Sequence, residues 1–359
     1  MKEYERNDDM KDYQNNPFTL SFGNKPIKYI ARVSEKRELI ENITNDPPLS
    51  HYYVITGVRG SGKTVLLTSL SKYFENLDDY VVVELNPSDD LRESLAAKLY
   101  SKCLVKRLFV EKTLSLSFTG VTFSLSGKNP VFNIDDLLDR MFQELEKQNK
   151  KVLVLIDEAT NSNYLKQFAL SSQILIRRDY SLFVVMTCLY ENISAIESEN
   201  NLTFLARAPR VVVAPLSIPA IANSYYEIFD IDNNQAIELA KLTKGYAFAF
   251  QLLGYLFFES HDKAITASLL NEFDQYLEEF VYQQIWKGLS QVEKKILKSF
   301  ASDGPVRVST IMESAGMKKE SFSKYRDRLI KKGIVFAPSH GELAFTLPRF
   351  EVFVSTRLY

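Results

Sequence analysis

A glycine-rich segment around residue 60 constrains the fold of this chain more than any other feature. It follows a short apolar run and precedes an amphipathic helical pattern, and it fits G-x-x-x-x-G-K-[ST] through Gly57, Gly62, Lys63 and Thr64. Glycines let the backbone adopt positive φ, so that consecutive N–H groups face an anion, and the dipole of the following helix favours the same charge. The segment therefore predicts a phosphate-binding loop between a strand and a helix.

The motif assigns a task to each part of this loop. Lys63 is predicted to reach the β and γ phosphates of a nucleoside triphosphate, and Thr64 to place its hydroxyl on Mg²⁺. The expected cofactors are therefore ATP, or its product ADP, and Mg²⁺. An incidental glycine turn is the alternative, which the strand–loop–helix context disfavours. The predicted nucleotide-binding residues are Gly57, Val58, Arg59, Gly60, Ser61, Gly62, Lys63, Thr64 and Val65.

Length and composition limit the class of protein. The 359 residues, 45% of them hydrophobic, suffice for two or three domains with their own cores. The formal net charge of −1 means that any nucleic-acid surface must arise from local charge asymmetry. Cys103 and Cys188 lack metal-ligand spacing, and we expect both to be reduced and buried. Neither a signal peptide nor a membrane span is recognisable, so we expect a cytoplasmic protein without a membrane partner.

A second apolar run, over residues 151–156, ends in the carboxylates Asp157 and Glu158. A continuous apolar run of this length is typical of a parallel strand that is buried on both faces and has its polar end at the carboxyl edge of the sheet. Together with the loop, it predicts that Asp157 holds Mg²⁺ and that Glu158 orients the attacking water or accepts its proton. A capping Asp and a solvated Glu are the alternative interpretation.

Further candidate catalytic residues follow later in the chain. Thr187 lies at the end of another predicted strand and is a candidate to hydrogen-bond the γ-phosphate or the water. Arg207 or Arg210 is a candidate arginine finger that serves the nucleotide of a neighbouring subunit, which would make the protein a homo-oligomer. A surface arginine in an ion pair is an equally open interpretation of either residue.

Residues 57–64, 153–158 and Thr187, with the exit over residues 215–217 into a helical segment, resemble the AAA+ ATPases. The resemblance is to the branch that includes replication initiators and STAND-like ATPases. It implies an α/β fold class with a P-loop NTPase core on a parallel sheet, a helical lid, a C-terminal winged helix and ATP hydrolysis. Many AAA+ proteins carry a sensor arginine close after the position of Gly245; this chain has none there, and Lys244 is a candidate substitute.

The predicted domain order has four parts. A mobile polar arm over residues 1–16 precedes the ATPase core over 17–217, the helical lid over 218–288 and the winged helix over 289–359. Alternating apolar and hydroxyl residues at about 113–127 predict a β-hairpin inserted in the core. We favour a flap that covers the sheet edge over an element that contacts a ligand.

The last part of the chain is basic. Residues 290–359 contain thirteen Lys or Arg against seven Asp or Glu, a net charge of +6 in a nearly neutral chain. On its third predicted helix, Lys324, Arg328 and Lys331 share an outer face. This asymmetry favours contact with double-stranded DNA. The alternative is a STAND-type regulatory switch, in which the winged helix packs internally or binds a protein partner.

Overall fold

A computed structural model describes residues 15–20, 26–102, 114–117, 122–125, 133–199, 202, 204–300 and 304–357. Residues 1–14 of the predicted arm and Cys103 lie outside this part of the chain. The chain forms two compact units. The sheet unit comprises residues 32–57 and 63–213; the helical unit comprises Val58–Gly62 together with the described parts of Met1–Ala31 and Ala214–Tyr359.

The sheet unit is built on five parallel strands in the order β2–β5–β6–β1–β7. A separate pair, β3 and β4, is antiparallel, as expected for the predicted hairpin, and its turn lies outside the described residues. The strands are β1 (Tyr52–Thr56), β2 (Tyr80–Leu85), β3 (Leu114–Ser117), β4 (Thr122–Leu125), β5 (Lys151–Ile156), β6 (Leu182–Cys188) and β7 (Arg210–Val212).

Helices cover both faces of this sheet. Alternate residues of β1 belong to different apolar clusters, with Tyr52 and Val54 on one face and Tyr53 and Ile55 on the other. The strands are therefore apolar without interruption, as expected for strands covered on both sides. The helices are α1 (Val33–Thr44), α2 (Lys63–Glu75), α3 (Leu91–Ser101), α4 (Ile134–Lys147), α5 (Asn163–Arg177) and α6 (Tyr190–Glu197).

The register of β5 and β6 positions the candidate site. Ile156 is paired with Met186, so the residues that follow them, Asp157 and Thr187, emerge side by side at the carboxyl edge of the sheet. On the other side of β6, Thr56 at the end of β1 is paired with Cys188. The carboxyl ends of parallel strands lie at the same edge of a sheet. The ends of β1, β5 and β6, which are far apart in sequence, therefore bring polar groups to one place.

The helical unit has one apolar core, which extends from Phe18 to Val354. Its middle part contains α7 (Ile218–Phe229), α8 (Asn233–Leu242), α9 (Ala247–Glu259), α10 (Ala267–Leu277), a π-helical turn (Glu278–Tyr282) and α11 (Gln283–Lys287). Within the ranges that the structure describes, no helix has the length and apolarity needed to cross a bilayer.

The C-terminal segment of this unit combines four helices with a three-stranded antiparallel sheet in the order β8–β10–β9. Ser290 caps the first helix in a capping box with Glu293, as its sequence position predicts. The elements are α12 (Gln291–Lys298), β8 (Val306–Arg307), α13 (Val308–Ala315), α14 (Lys319–Lys331), β9 (Val335–Phe336), β10 (Glu342–Phe345) and α15 (Phe350–Ser355).

Candidate functional site

The predicted phosphate-binding loop connects β1 to α2. Gly60 and Gly62 have φ angles of +75° and +92°, which glycine adopts without the steric cost that a Cβ would bring. Lys63 begins α2 and is buried, and its Nζ donates a hydrogen bond to the carbonyl of Gly57 at 3.0 Å. The loop thus has the backbone conformations that its glycines were expected to permit.

Three hydroxyl and carboxyl groups meet at the edge of the sheet. Asp157 accepts a hydrogen bond from Thr64 Oγ1 on Oδ2 at 2.7 Å and one from Thr187 Oγ1 on Oδ1 at 2.5 Å. Thr187 is fully buried, and its Oγ1 also accepts the backbone N–H of Glu158 at 2.8 Å. The fold therefore assembles Thr64, Asp157 and Thr187 into one hydrogen-bonded chain.

Glu158 differs from its neighbours in backbone and in environment. Its φ of +52° lies in the left-handed region, which is uncommon for residues other than glycine, asparagine and aspartate. Its side chain is exposed, and no described residue forms an ion pair or hydrogen bond with its carboxylate. The carboxylate is therefore accessible to a water molecule. Backbone strain of this kind is concentrated at functional sites.

The donor set suits Mg²⁺. Mg²⁺ prefers oxygen ligands and is usually held by one or two protein groups together with phosphates and water, rather than by an all-protein cage. The Thr64 hydroxyl and the Asp157 carboxylate are such groups and lie within hydrogen-bond distance of each other. No cluster of three or more His, Cys, Asp or Glu able to hold a metal occurs among the described residues.

Cys188 follows Thr187 at the end of β6 and is a buried, free thiol, as predicted. Burial raises its pKa to about 12, although the charge of Lys63 acts in the opposite direction. The thiol is therefore neutral at physiological pH and is a poor nucleophile, because reactivity belongs to the thiolate.

A tyrosine outside the predicted site residues contacts the loop within the helical unit. The buried hydroxyl of Tyr246 donates to the carbonyl of Arg59 at 2.6 Å, and the N–H of Phe248 donates to the carbonyl of Gly60 at 3.1 Å. Lys244, the candidate sensor substitute, instead donates from Nζ to the carbonyl of Phe345 at 3.2 Å. No short motif marks Tyr246, so only the fold reveals its contact.

The two candidate finger arginines have different surroundings. Arg207 is exposed at the end of a short 3₁₀ helix, Leu205–Arg207, and forms no ion pair with any described residue. Arg210, at the start of β7, forms an ion pair with Glu197 of α6. Arg207 is thus the better placed of the two to act on another molecule.

The cationic face of α14 is smaller than its sequence suggests. Lys324 and Lys331 are exposed, whereas Arg328 lies 3.7 Å from Glu293 and packs over the ring of Tyr325. Three cations counted in the basic segment are paired with carboxylates: Lys332 with Glu293, Arg349 with Asp274 and Arg357 with Glu278. Asp274 and Glu278 precede residue 290 and were not counted in the net charge of residues 290–359. Because they neutralise Arg349 and Arg357, the effective positive charge of this region is below +6.

Two ranges of the chain match known protein families. Residues 30–200 match the family described as an ATPase domain predominantly from Archaea, and residues 279–354 match a domain of unknown function (DUF8462). The comparison with curated protein sequences gave no match.

Two solved structures share the fold along nearly the whole chain. The Walker-type ATPase PABY2304 of Pyrococcus abyssi has 17% identity and a TM-score of 0.58, over 91% of this chain and 96% of that one. The ORC2 protein of Aeropyrum pernix, solved as ADPNP-ADP complexes, has 13% identity and a TM-score of 0.56, over 94% of this chain and 96% of that one.

The strand order, the loop and the family match of residues 30–200 are those of an ATPase with a P-loop NTPase fold. More particularly, residues 30–200 are similar to the ATPase domain found predominantly in Archaea, and the chain shares its fold with PABY2304 and with the ORC2 protein.

Proposed function

We propose that this protein binds ATP with Mg²⁺ through residues 57–65 and hydrolyses it at the edge of the sheet, and that its C-terminal segment contacts double-stranded DNA. The observation that carries the ATPase part is the hydrogen-bonded chain Thr64–Asp157–Thr187 beside the start of α2. A motif lysine and threonine next to a strand-end carboxylate are the groups that phosphoryl transfer requires.

Each residue has a defined role in this proposal. Lys63 neutralises the β and γ phosphates, and the Thr64 hydroxyl and Asp157 carboxylate hold Mg²⁺, which when bound offsets charge on the phosphates. Glu158 accepts a proton from the water that attacks the γ-phosphorus, as the bond to the β–γ bridging oxygen breaks and ADP leaves. The exposure of the Glu158 carboxylate supports this role, because nothing in the described structure competes for it.

Substitution of Lys63 tests the nucleotide site. Lys63→Ala removes the cation at the head of α2, and we expect ADP and ATP binding to fall below detection in isothermal titration calorimetry. Lys72→Ala is the matched control, because Lys72 lies on the same helix but is exposed at its far end. Wild-type affinity in Lys63→Ala, with the fold intact by circular dichroism, would refute the site.

Exposed cations support the DNA part of the proposal. Phosphate contacts from Lys and Arg dominate the affinity of proteins for DNA. Lys324 and Lys331 are exposed on α14, and Lys318 and Lys319 are exposed at its start. None of these four forms an ion pair with a described residue, so their charges are available to phosphates.

A salt titration tests this contact. If three of these cations touch phosphates, log K for a DNA duplex falls against log[salt] with a slope near about −3, since each contact contributes about −0.9. Fluorescence anisotropy of a labelled duplex of random sequence measures this slope. Absence of binding at low salt would exclude the DNA-binding function and leave the ATPase function unaffected.

A regulatory switch is the second candidate, and one contact favours it. Gly333, at the end of α14, lies so close to the loop that a Cβ added there would be 3.5 Å from Cβ of Val58. Lys244 also joins the segment before α9 to β10. The C-terminal segment therefore touches the predicted nucleotide loop within one compact unit. Slow hydrolysis without DNA binding, together with nucleotide-dependent protection of α14 in hydrogen exchange, would support the switch.

A further inference from the structure

The hydrogen bonds from Tyr246 and Phe248 are directed at carbonyl groups of the loop. Tyr246 Oη donates to Arg59 and the N–H of Phe248 donates to Gly60, so two consecutive carbonyls face the start of α9. Phe248 is the second residue of that helix, and the first N–H groups of an α-helix have no acceptor in the helical backbone pattern. The loop thus receives a donor that the helix itself cannot use.

The orientation of these carbonyls fixes the orientation of the loop amides. A peptide unit is planar and trans, so its N–H points away from its C=O. With the carbonyls of Arg59 and Gly60 held toward α9, the N–H groups of Gly60 and Ser61 point away from it, and the N–H of Ser61 donates to the carbonyl of Val58 within the loop at 3.2 Å. The contacts with α9 and this turn together define the backbone conformation of the loop, and it is the backbone N–H groups of such a loop that form an anion-binding concavity.

Gly60 packs closely against Tyr246, which supports a specific contact between the loop and this side chain. A Cβ at position 60 would lie 2.2 Å from Tyr246 Oη and 3.1 Å from Cβ of Phe248, so only glycine allows the approach. Burial raises the pKa of Tyr246, against a smaller opposite effect of Arg59, so the hydroxyl remains protonated and able to donate. The loop and the residues at the start of α9 are therefore complementary in shape.

We infer that Tyr246 is a positioning residue of the phosphate-binding loop: its hydroxyl, together with the N–H of Phe248, fixes the orientation of the Arg59–Gly60 and Gly60–Ser61 peptides and thereby the loop conformation that receives a phosphate. This inference rests on the proposed nucleotide binding for its functional meaning. Tyr246 acts on the loop backbone and does not itself touch the nucleotide.

Two tyrosine-to-phenylalanine substitutions separate positioning from a loss of packing. Tyr246→Phe removes only the hydroxyl that holds Arg59. Tyr225→Phe is the matched control: its buried hydroxyl donates to the carbonyl of Phe250 at 2.8 Å in the same unit and does not contact the loop. Both variants lose one buried hydroxyl–carbonyl hydrogen bond, so a general loss of stability should be similar in both, as judged by their melting temperatures.

Nucleotide affinity is the first readout. We expect Tyr246→Phe to weaken ADP and ATP binding by a similar factor, roughly 3- to 10-fold, the range set by the net free energy of one hydrogen bond. Tyr225→Phe should leave both affinities unchanged. If Tyr246→Phe binds with wild-type affinity, the inference is wrong. If it binds more tightly, the contact restrains the loop against nucleotide, which also overturns the inference.

Hydrogen exchange in the absence of nucleotide is the second readout, and it does not depend on the proposed function. Tyr246→Phe should raise the exchange rate of the amides in Val58–Gly62 above that of both wild type and Tyr225→Phe. Unchanged exchange would overturn the positioning role even if the protein binds ATP. If the loop amides exchange faster in Tyr246→Phe but the wild-type protein binds no nucleotide, Tyr246 still positions the loop and the proposed nucleotide site is wrong.

Discussion

The only proton of the Thr187 hydroxyl is donated to Oδ1 of Asp157, across 2.5 Å. Thr187 Oγ1 in turn accepts the N–H of Glu158, so the hydroxyl has no further proton to give to a phosphate or to water. The sequence position of Thr187 predicts contact with the γ-phosphate or with the water. In this arrangement we expect Thr187 instead to orient Asp157 and Glu158, the two carboxylate residues beside it.

Substitutions at Thr187 test this orienting role. Thr187→Val keeps the shape but loses the hydroxyl, and we expect kcat for ATP hydrolysis to fall about 10- to 100-fold, because hydrogen bonds to charged groups are worth about 1.5–3 kcal/mol. Thr187→Ser should restore most of the rate. Steady-state kinetics would also show non-additive effects with Glu158→Gln. Fully additive effects would mean that Thr187 acts independently of Glu158.

Glu158→Gln should separate binding from hydrolysis. The amide cannot accept the proton of the attacking water, so we expect kcat to fall by roughly 10² to 10⁴, the usual contribution of a positioned base. Binding of ATP should persist, because Lys63, Thr64 and Asp157 are untouched, and calorimetry can verify this. Unchanged turnover would mean that a group other than Glu158 accepts the proton of the attacking water.

Charge reversal on α14 tests the DNA surface. Lys324→Glu combined with Lys331→Glu should weaken duplex binding for all sequences and lower the salt slope by about 2, because phosphate contacts carry no sequence information. Arg326→Glu is the control on the same helix, since Arg326 is paired with Asp327. We expect Arg328→Glu to have a smaller effect than the double variant, because Arg328 lies close to Glu293. Equal losses in the control would indicate a non-specific charge effect.

The buried pair of Glu293 and Lys332 predicts a pH-dependent stability. Burial opposes ionisation of Glu293, but hydrogen bonds from Ser290 and the charge of Lys332 outweigh it, so its pKa lies below the ordinary 4.5. Its contribution to the free energy of unfolding is therefore full above pH 4.5 and is lost as the pH falls through the lower pKa of the folded state.

Denaturant titrations can measure this contribution. Glu293→Gln leaves the Lys332 ammonium buried without its partner, and we expect a loss of about 3 kcal/mol at pH 7. The variant should also lose part of the decrease in stability below pH 4.5 that the wild-type protein shows. Glu320→Gln, an exposed carboxylate on α14, is the control and should retain that decrease. The same pH dependence in Glu293→Gln would contradict the role of the pair.

Arg207 gives a test of a site completed by a second molecule. Arg207→Ala should bind ATP but hydrolyse it about 10³- to 10⁵-fold more slowly, the usual value of an arginine finger. Mixing this variant with Glu158→Gln should restore activity, because some interfaces then join an intact Glu158 to an intact Arg207. Arg210→Ala is the control, since its ion pair with Glu197 gives it a local role. Activity independent of protein concentration, without rescue, would indicate a monomeric enzyme.

Features with local periodicity could be predicted from the sequence. The loop and the buried strands β1, β5 and β6 follow from apolar runs and glycines close in sequence. The predicted domain boundaries and the cytoplasmic location stay predictions.

Long-range pairs could not be predicted, because nothing in a local pattern identifies the partner. The contact of Tyr246 with Arg59 joins residues 187 positions apart, and Arg349 meets Asp274 across 75 positions. The pairing of Arg349 and Arg357 with carboxylates that precede residue 290 could not be predicted for the same reason. The role of Thr187 also depended on a register between strands that only the folded sheet defines.

The left-handed backbone at Glu158 places two opposite demands on the residue at this position, because the residue best for stability is not the one proposed for activity. A side chain with a Cβ costs roughly 1–2 kcal/mol in this conformation, whereas glycine adopts it freely. Selection for thermal stability alone would therefore favour glycine or asparagine at position 158, and selection for turnover would keep the carboxylate. If one library is selected for thermal stability and a second for turnover, the two should differ at position 158 before they differ in the surrounding strands.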